Sequence, residues 1–231
     1  MMLPAKTKSK APAKGVFARA LSRFKAESKQ HAQPLVRIGF LIDATASRAQ
    51  TWVHAQKIQA EMFASVSGIG TMELRLVHFG GGAVIDHGWM NSPKEITTAM
   101  NKVECVTGLT QYLPALRALL NEGEVPDAII VIGDMCEEPK EELYELARAL
   151  AGAGVKVFTF LEGADPIAAG TFHSLSHITG GKSTSFGRQL PLGDLCEGVA
   201  LLTAGGTKAL KRLENKRVQR LLLTGPSKKQ E

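Results

Sequence analysis

The chain has 231 residues, 44% hydrophobic and 22% charged, with a formal net charge of +6. That length and mix suit one globular domain with tails. No stretch reaches the roughly 18 consecutive apolar residues of a membrane span, and the N-terminus lacks the apolar core of a secretory signal. Three widely spaced cysteines, Cys105, Cys136 and Cys196, argue against a disulfide framework or zinc knuckle and fit a reducing cytoplasm.

The charge is unevenly placed. Residues 1–30 carry eight Lys/Arg against Glu27 alone, and residues 205–231 carry eight against Glu214 and Glu231. The body between them is net acidic. Basic ends of this kind suit nucleic acid, an anionic membrane surface, an acidic partner or the chain's own acidic body. Three regions follow: a basic N-terminal extension, 1–34; a domain, 35–204; and a basic helix and tail, 205–231.

Residues 1–14, Lys-, Ala- and Pro-rich, have too little to bury and are expected to be disordered. Val16, Phe17, Ala20, Leu21 and Phe24 recur at helical spacing and predict a short amphipathic helix over 15–30. It would pack on the domain or on a membrane surface or partner. A continuous apolar run, Leu35 to Ile42, predicts a buried strand that stops at Asp43. A helix over 48–66 follows, with Ser47 as a candidate N-cap. Residues 72–79 alternate as a strand, Gly80–Gly82 turns the chain, and 83–89 returns antiparallel.

Helices are predicted over 93–103 and 112–120, the first opened by Pro93. AIIVIG, 128–133, is a second fully apolar strand that ends in an aspartate, Asp134. Helix 139–151 opens amid Glu137, Glu138, Glu141 and Glu142, which suits a helix N-terminus. Strand 155–161, helix 165–178, short strand 182–186 and helix 190–203 complete the domain. Residues 207–222 predict one more helix, apolar on one face and dense in Lys and Arg on the other. The alternation predicts an α/β fold: Rossmann-like, doubly wound, mainly parallel, with one antiparallel edge strand and helices on both faces.

In such sheets ligands sit beyond the carboxyl ends of strands. Asp43 and Asp134 share that rim. Asp43-Ala-Thr45-Ala-Ser47 offers the oxygen donors a hard divalent cation prefers. The Gly80–Gly82 triplet lacks the following Lys and helix of a phosphate loop.

These residues resemble the von Willebrand factor type A (vWA) domain family over roughly 35–204. The family's metal-ion-dependent adhesion site (MIDAS) joins an Asp-x-Ser-x-Ser loop, a later Thr and an Asp after the fourth strand. Asp43-Ala-Thr45-Ala-Ser47 resembles the first element, with Thr in place of the middle Ser. Thr110 in Thr-Gly-Leu-Thr-Gln resembles the second, and Asp134 in Val-Ile-Gly-Asp the third. Phe172 to Ser183 resembles the late helix, Gly-Gly turn and last strand. The stand-alone bacterial members, with Asp-Ala-Thr-Ala-Ser and Gly-Asp-x-x-Glu-Glu-Pro, are more similar still.

The resemblance implies Mg²⁺, with Mn²⁺ as a substitute, held by Asp43, Thr45, Ser47, Thr110 and Asp134. Ser47 and Thr45 would ligate directly, Thr110 directly or through water, and the aspartates mostly through bound waters. An open position would take a partner's carboxylate, so the implied role is a protein–protein contact and not catalysis. Glu137 and Glu138 would extend the site or meet a basic partner. A vestigial site, with its hydroxyls only capping helices, is the bland alternative. Rival functions are a nucleic-acid or anionic-surface module run by the basic termini, and a metal-dependent phosphohydrolase. The last is disfavoured because such sites bring more carboxylates and a general base. His173 and His177, four apart on a helix, lack a third ligand and read as surface or packing residues. Cys136 reads as a small buried residue.

Overall fold

The structure, a computed structural model, describes residues 35–52, 72–120 and 124–224. All of the described residues lie in one compact unit, Leu35–Glu231. The expectations for 1–34, for most of the 48–66 helix and for the tail beyond 224 lie outside the described residues.

Six strands form one sheet, in the order β3-β2-β1-β4-β5-β6. They are β1 (Val36–Asp43), β2 (Met72–Gly80), β3 (Ala83–Met90), β4 (Ala128–Gly133), β5 (Lys156–Leu161) and β6 (Ser183–Ser185). All neighbours pair in parallel except the β2–β3 hairpin at the edge. The central strands β1 and β4 are buried along almost their whole length. This is why they read as nearly continuous apolar runs, interrupted in β1 only by Arg37, and not as alternating ones.

Alternate residues of each strand feed two cores. Ile38, Phe40 and Ile42 join Leu74, Leu76, Ile130, Ile132, Phe158 and Phe160 on one face. That face is covered by α1 (Pro93–Met100), α5 (Leu192–Leu210) and α6 (Lys216–Leu223). Leu41, Val77, Phe79, Ile129, Val131, Val157 and Leu161 point to the other face. It is covered by α2 (Tyr112–Ala118), α3 (Lys140–Gly152) and α4 (Pro166–Thr179). The fold is the doubly wound α/β sheet with one antiparallel edge strand that the alternation of elements predicts.

Helix ends follow local chemistry. Ser92 accepts from the Glu95 N–H at 3.2 Å, and Glu95 reaches back to the Asn91 N–H at 3.3 Å, which opens α1. Asp165 accepts from the Ala168 N–H at 2.6 Å at the start of α4, just before Pro166. Gly180, at φ 74°, closes α4 in the left-handed conformation glycine adopts without strain.

Two local expectations need correction. Among the described residues Ser47 makes no cap bond: the chain leaves β1 through a 3₁₀ turn, Ala46–Arg48, with Ser47 inside it and Thr45 at the cap position. A cap must lie outside the first turn to meet its free N–H groups. The predicted helices 190–203 and 207–222 are also divided differently. Helix α5 runs on to Leu210, bent at Gly205 and Gly206, whose backbone is not helical. Asn215 then accepts from the N–H groups of Arg217 and Val218 and starts α6 afresh. The bend and new start bring Leu210, Leu213, Val218 and Leu222 into the core. Gly198 lacks the Cβ that would stand 2.5 Å from Leu222. The basic side chains Lys208, Lys211, Arg212, Lys216, Arg217 and Arg220 remain exposed.

On the hairpin, His78 is buried and its Nδ1 lies 3.1 Å from His87 Nε2. Burial, then the neighbouring imidazole, lowers the His78 pKa from 6.5 to about 4. The unfolded chain therefore binds more protons than the folded one between these values. The stability contributed by neutral His78 is complete above pH 6.5 and is lost as the pH falls toward 4. The urea midpoint of His78→Leu is expected to gain on that of wild type as the pH falls across that range, which isolates the imidazole from the opposite effect of the Asp43 carboxyl.

Candidate metal centre

The parallel arrangement puts the carboxyl ends of β1, β4 and β5 on one rim. Asp43 ends β1 on the same face as Leu41, and its side chain is fully buried. Its Oδ1 accepts from the Thr45 N–H at 2.8 Å, and its Oδ2 faces the Tyr112 hydroxyl at 3.4 Å. The tight Asp43–Thr45 turn brings the Thr45 and Ser47 hydroxyl oxygens to 3.0 Å. Thr45 is buried and Ser47 is exposed, so the pair opens outward from the rim.

The 105–111 loop reaches this turn along backbone bonds. The Val106 N–H donates to Ala44 O at 2.9 Å, and the Gly81 N–H donates to Val106 O at 3.2 Å. A Cβ on Gly80 would stand 2.5 Å from Ala44 O, so only glycine lets the hairpin approach so closely. Gly133 has the same role at the end of β4: a Cβ there would lie 1.8 Å from Tyr112 Oη. Tyr112 is fully buried, and its ring meets Phe79 and Phe172 edge-on.

Glu137, which stays exposed, and Glu138, which is half-buried, both bond to Thr110. The Thr110 N–H donates to Glu137 Oε2 at 3.0 Å, and the Glu137 N–H donates to Thr110 Oγ1 at 2.9 Å. Thr110 Oγ1 donates to Glu138 Oε2 at 2.5 Å, and the Tyr112 N–H donates to Glu138 Oε1. The two glutamates thus bind the 105–111 loop to the one that follows β4.

Three residues without a signal in the sequence complete the rim. Arg48 is 1% exposed; its Nη1 donates to Asp43 O at 2.6 Å and its Nε to Glu162 Oε2 at 2.8 Å. It also lies over the Trp52 ring. Arg48 therefore ties the end of β1 to the segment after β5. Tyr112 is the third. Each acts across a long stretch of sequence, so only the fold reveals the pairing.

The charge environment is unusual. Burial, assisted by nearby Asp134, raises the Asp43 pKa to about 6, against the Thr45 hydrogen bonds and Arg48, which pull it down. Asp134 Oδ1 is buried with no hydrogen-bond donor among the described residues. A carboxylate oxygen left in this way is costly unless something else meets it. A bound cation, or water held by one, would supply what is missing. The donors are also suitable: hydroxyl and carboxylate oxygens favour a hard divalent ion. Among the described residues, no three His, Cys, Asp or Glu side chains form a metal-binding group, so any ion here would depend on the hydroxyls.

Outside the rim, His173 and His177 stack with ring centroids 6.1 Å apart and are exposed on α4. Cys136 is buried, and burial pushes its thiol up to about 12.

No protein-family model matches the sequence, and no curated protein does. Solved structures match the fold. BatB from Bacteroides thetaiotaomicron, described as a conserved hypothetical protein, is 15% identical with a TM-score of 0.57, over 75% of this chain and 99% of that one. A von Willebrand factor type A protein from Catenulispora acidiphila is 14% identical with a TM-score of 0.54, over 74% of this chain and 43% of that one. Proximal thread matrix protein 1 from the mussel byssus, in a form with a zinc-occupied MIDAS motif, is 16% identical with a TM-score of 0.57. It matches over 73% of this chain and 45% of its own, so this chain spans less than half of the last two proteins. With the sheet order, the edge hairpin and the rim described above, these likenesses identify a domain of the von Willebrand factor type A fold.

Proposed function

We propose that the domain is a non-enzymatic interaction module. It holds Mg²⁺, or Mn²⁺ in its place, at Asp43, Thr45, Ser47, Thr110 and Asp134, and uses the ion to bind a carboxylate of a protein partner. The observation that carries this reading is the orphaned, buried Asp134 Oδ1 close to the buried Asp43 carboxylate. The paired Thr45 and Ser47 hydroxyls supply neutral ligands, so a bound ion would keep enough positive charge to attract an anionic partner. The zinc-occupied motif in the mussel protein supports a metal role for this fold's rim. The three free thiols favour a cytoplasmic location.

The chain's own residues do the following work. Arg48 holds the Asp43 carbonyl, the Thr45 N–H and Tyr112 hydroxyl fix the Asp43 carboxylate, and Glu137 and Glu138 fix Thr110. When bound, the ion supplies an electrophilic position for an anionic oxygen. Thermal unfolding in EDTA, Mg²⁺ and Mn²⁺ tests the reading. A ligand that binds only the folded state, at about 100 times its Kd, adds about 2.7 kcal/mol, or roughly 5–10 °C in Tm for a domain of this size. No rise with either ion, and none with an added carboxylate such as acetate, would sink the metal reading.

A second reading rests on the six exposed cations from Lys208 to Arg220, spread over the end of α5, the turn after it and α6, which are anchored by Leu210, Leu213, Val218 and Leu222. They offer a surface for nucleic acid or an anionic membrane. Binding of duplex DNA or phosphatidylserine vesicles that weakens steeply with salt, and is lost when these residues become Gln, would favour it.

A further inference from the structure

Glu138 stands out once the Thr110 hydroxyl is considered atom by atom. A threonine hydroxyl has one proton and two lone pairs. Here the proton points to Glu138 Oε2 at 2.5 Å, and one lone pair accepts the Glu137 N–H at 2.9 Å. A single lone pair remains, with its direction fixed. An isolated hydroxyl would rotate freely and lose that freedom on meeting an ion.

The carboxylate of Glu138 is itself held. Its Oε1 takes the Tyr112 N–H, and the Cys136 thiol approaches Oε2 at 3.7 Å. Thr110 is only 7% exposed, so water competes little for its hydroxyl. A charged acceptor strengthens the bond and draws the proton from the oxygen, which makes that oxygen a better donor to a cation. Groups behind metal ligands commonly alter affinity by 10- to 100-fold in this way.

We infer that Glu138 is a positioning residue of the metal site, which orients and polarises the Thr110 hydroxyl toward the ion. The inference rests on the metal reading above. It gives Glu138 a different role from contact with a partner, because both of its oxygens are turned to the chain itself.

The test is Mn²⁺ affinity at pH 7.5, read from the loss of the free-ion electron paramagnetic resonance signal, beside the Tm in EDTA. Glu138→Gln loses the charge and keeps one acceptor oxygen, enough for the Tyr112 N–H, while its NH2 would donate to the Thr110 hydroxyl in place of accepting from it. Glu138→Asp keeps the charge but withdraws the oxygens from Thr110. Both are expected to weaken Mn²⁺ binding at least tenfold, with the metal-free Tm of Glu138→Gln close to wild type. Glu138→Asp that binds like wild type would reduce the effect to general charge and overturn the inference. So would tighter binding in Glu138→Gln, since Glu138 would then be restraining Thr110 from the ion. Wild type that takes up no Mn²⁺ would defeat the metal reading itself, a result separate from either variant's behaviour.

Discussion

Asp43→Ala is expected to abolish the metal-dependent rise in Tm while leaving the metal-free domain within about 1–2 kcal/mol of wild type, the difference of two opposed effects. On one side, the buried carboxylate has its pKa raised from 3.8 to about 6, chiefly by burial. A carboxyl whose folded pKa exceeds its unfolded value favours the fold most at low pH and disfavours it once ionised. Above pH 6 that amounts to about 3 kcal/mol, which the alanine removes. On the other side, the Thr45 N–H loses its acceptor and the Tyr112 hydroxyl loses its nearest one, at about 1–3 kcal/mol for a buried polar group. The two nearly cancel. With metal there is no such compensation, because the ion loses the carboxylate that balances its charge. Differential scanning calorimetry of both proteins in EDTA and in Mg²⁺ separates the terms. A variant that keeps the full Mg²⁺ response would exclude Asp43 from the site.

Gly133→Ala is expected to be the most damaging single methyl on the rim, lowering stability by about 3 kcal/mol. The new Cβ would start 1.8 Å from Tyr112 Oη and 3.2 Å from Asp43 Cβ. Tyr112 cannot swing aside, since Phe79 and Phe172 hold its ring and it is fully buried. The clash therefore passes to Asp43 or to the end of β4, and the metal response should fall along with stability. Tyr112→Phe removes the offending oxygen and leaves the nearest ring carbon at 3.0 Å from the new methyl. The double variant should thus regain a large part of the loss in urea denaturation. No recovery would mean that the strain lies in the strand backbone instead.

Much of the fold was legible because burial on both faces writes itself as nearly continuous apolar runs. LVRIGFLI and AIIVIG are the two central strands, and each ends at a rim carboxylate. The hairpin was legible through Gly80–Gly82, two of which have positive φ. The C-terminal helices were misdivided because a bend at Gly205–Gly206 does not interrupt helical spacing, and the cap at Asn215 falls inside what reads as one continuous amphipathic face. Of the rim, the residues spaced along one loop were the readable ones. Arg48 carries no signal of its own at the start of the 48–66 stretch, yet it is buried against Glu162, more than a hundred positions away. Glu137 and Glu138 read equally as an extension of the site, as a contact for a basic partner and as solvated helix-start acids. The structure has the carboxylates of both accepting from the 105–111 loop and the start of α2, from the Thr110 N–H and hydroxyl and the Tyr112 N–H, a pairing that no local spacing announces.

The rim draws its donors from the turn after β1, the loop before α2 and the end of β4, segments far apart in sequence. None of them is in place until β1 has paired with β4 and the 105–111 loop has closed on Ala44. Contacts of such separation form late, after the entropy of closing long loops has been met. An ion that needs them all finds no site on a half-formed chain, so it has little to offer the folding transition state. Its effect should fall on the reverse step: Mg²⁺ would leave the refolding rate almost unchanged and slow unfolding. The cation would then lengthen the lifetime of the finished domain without guiding its assembly.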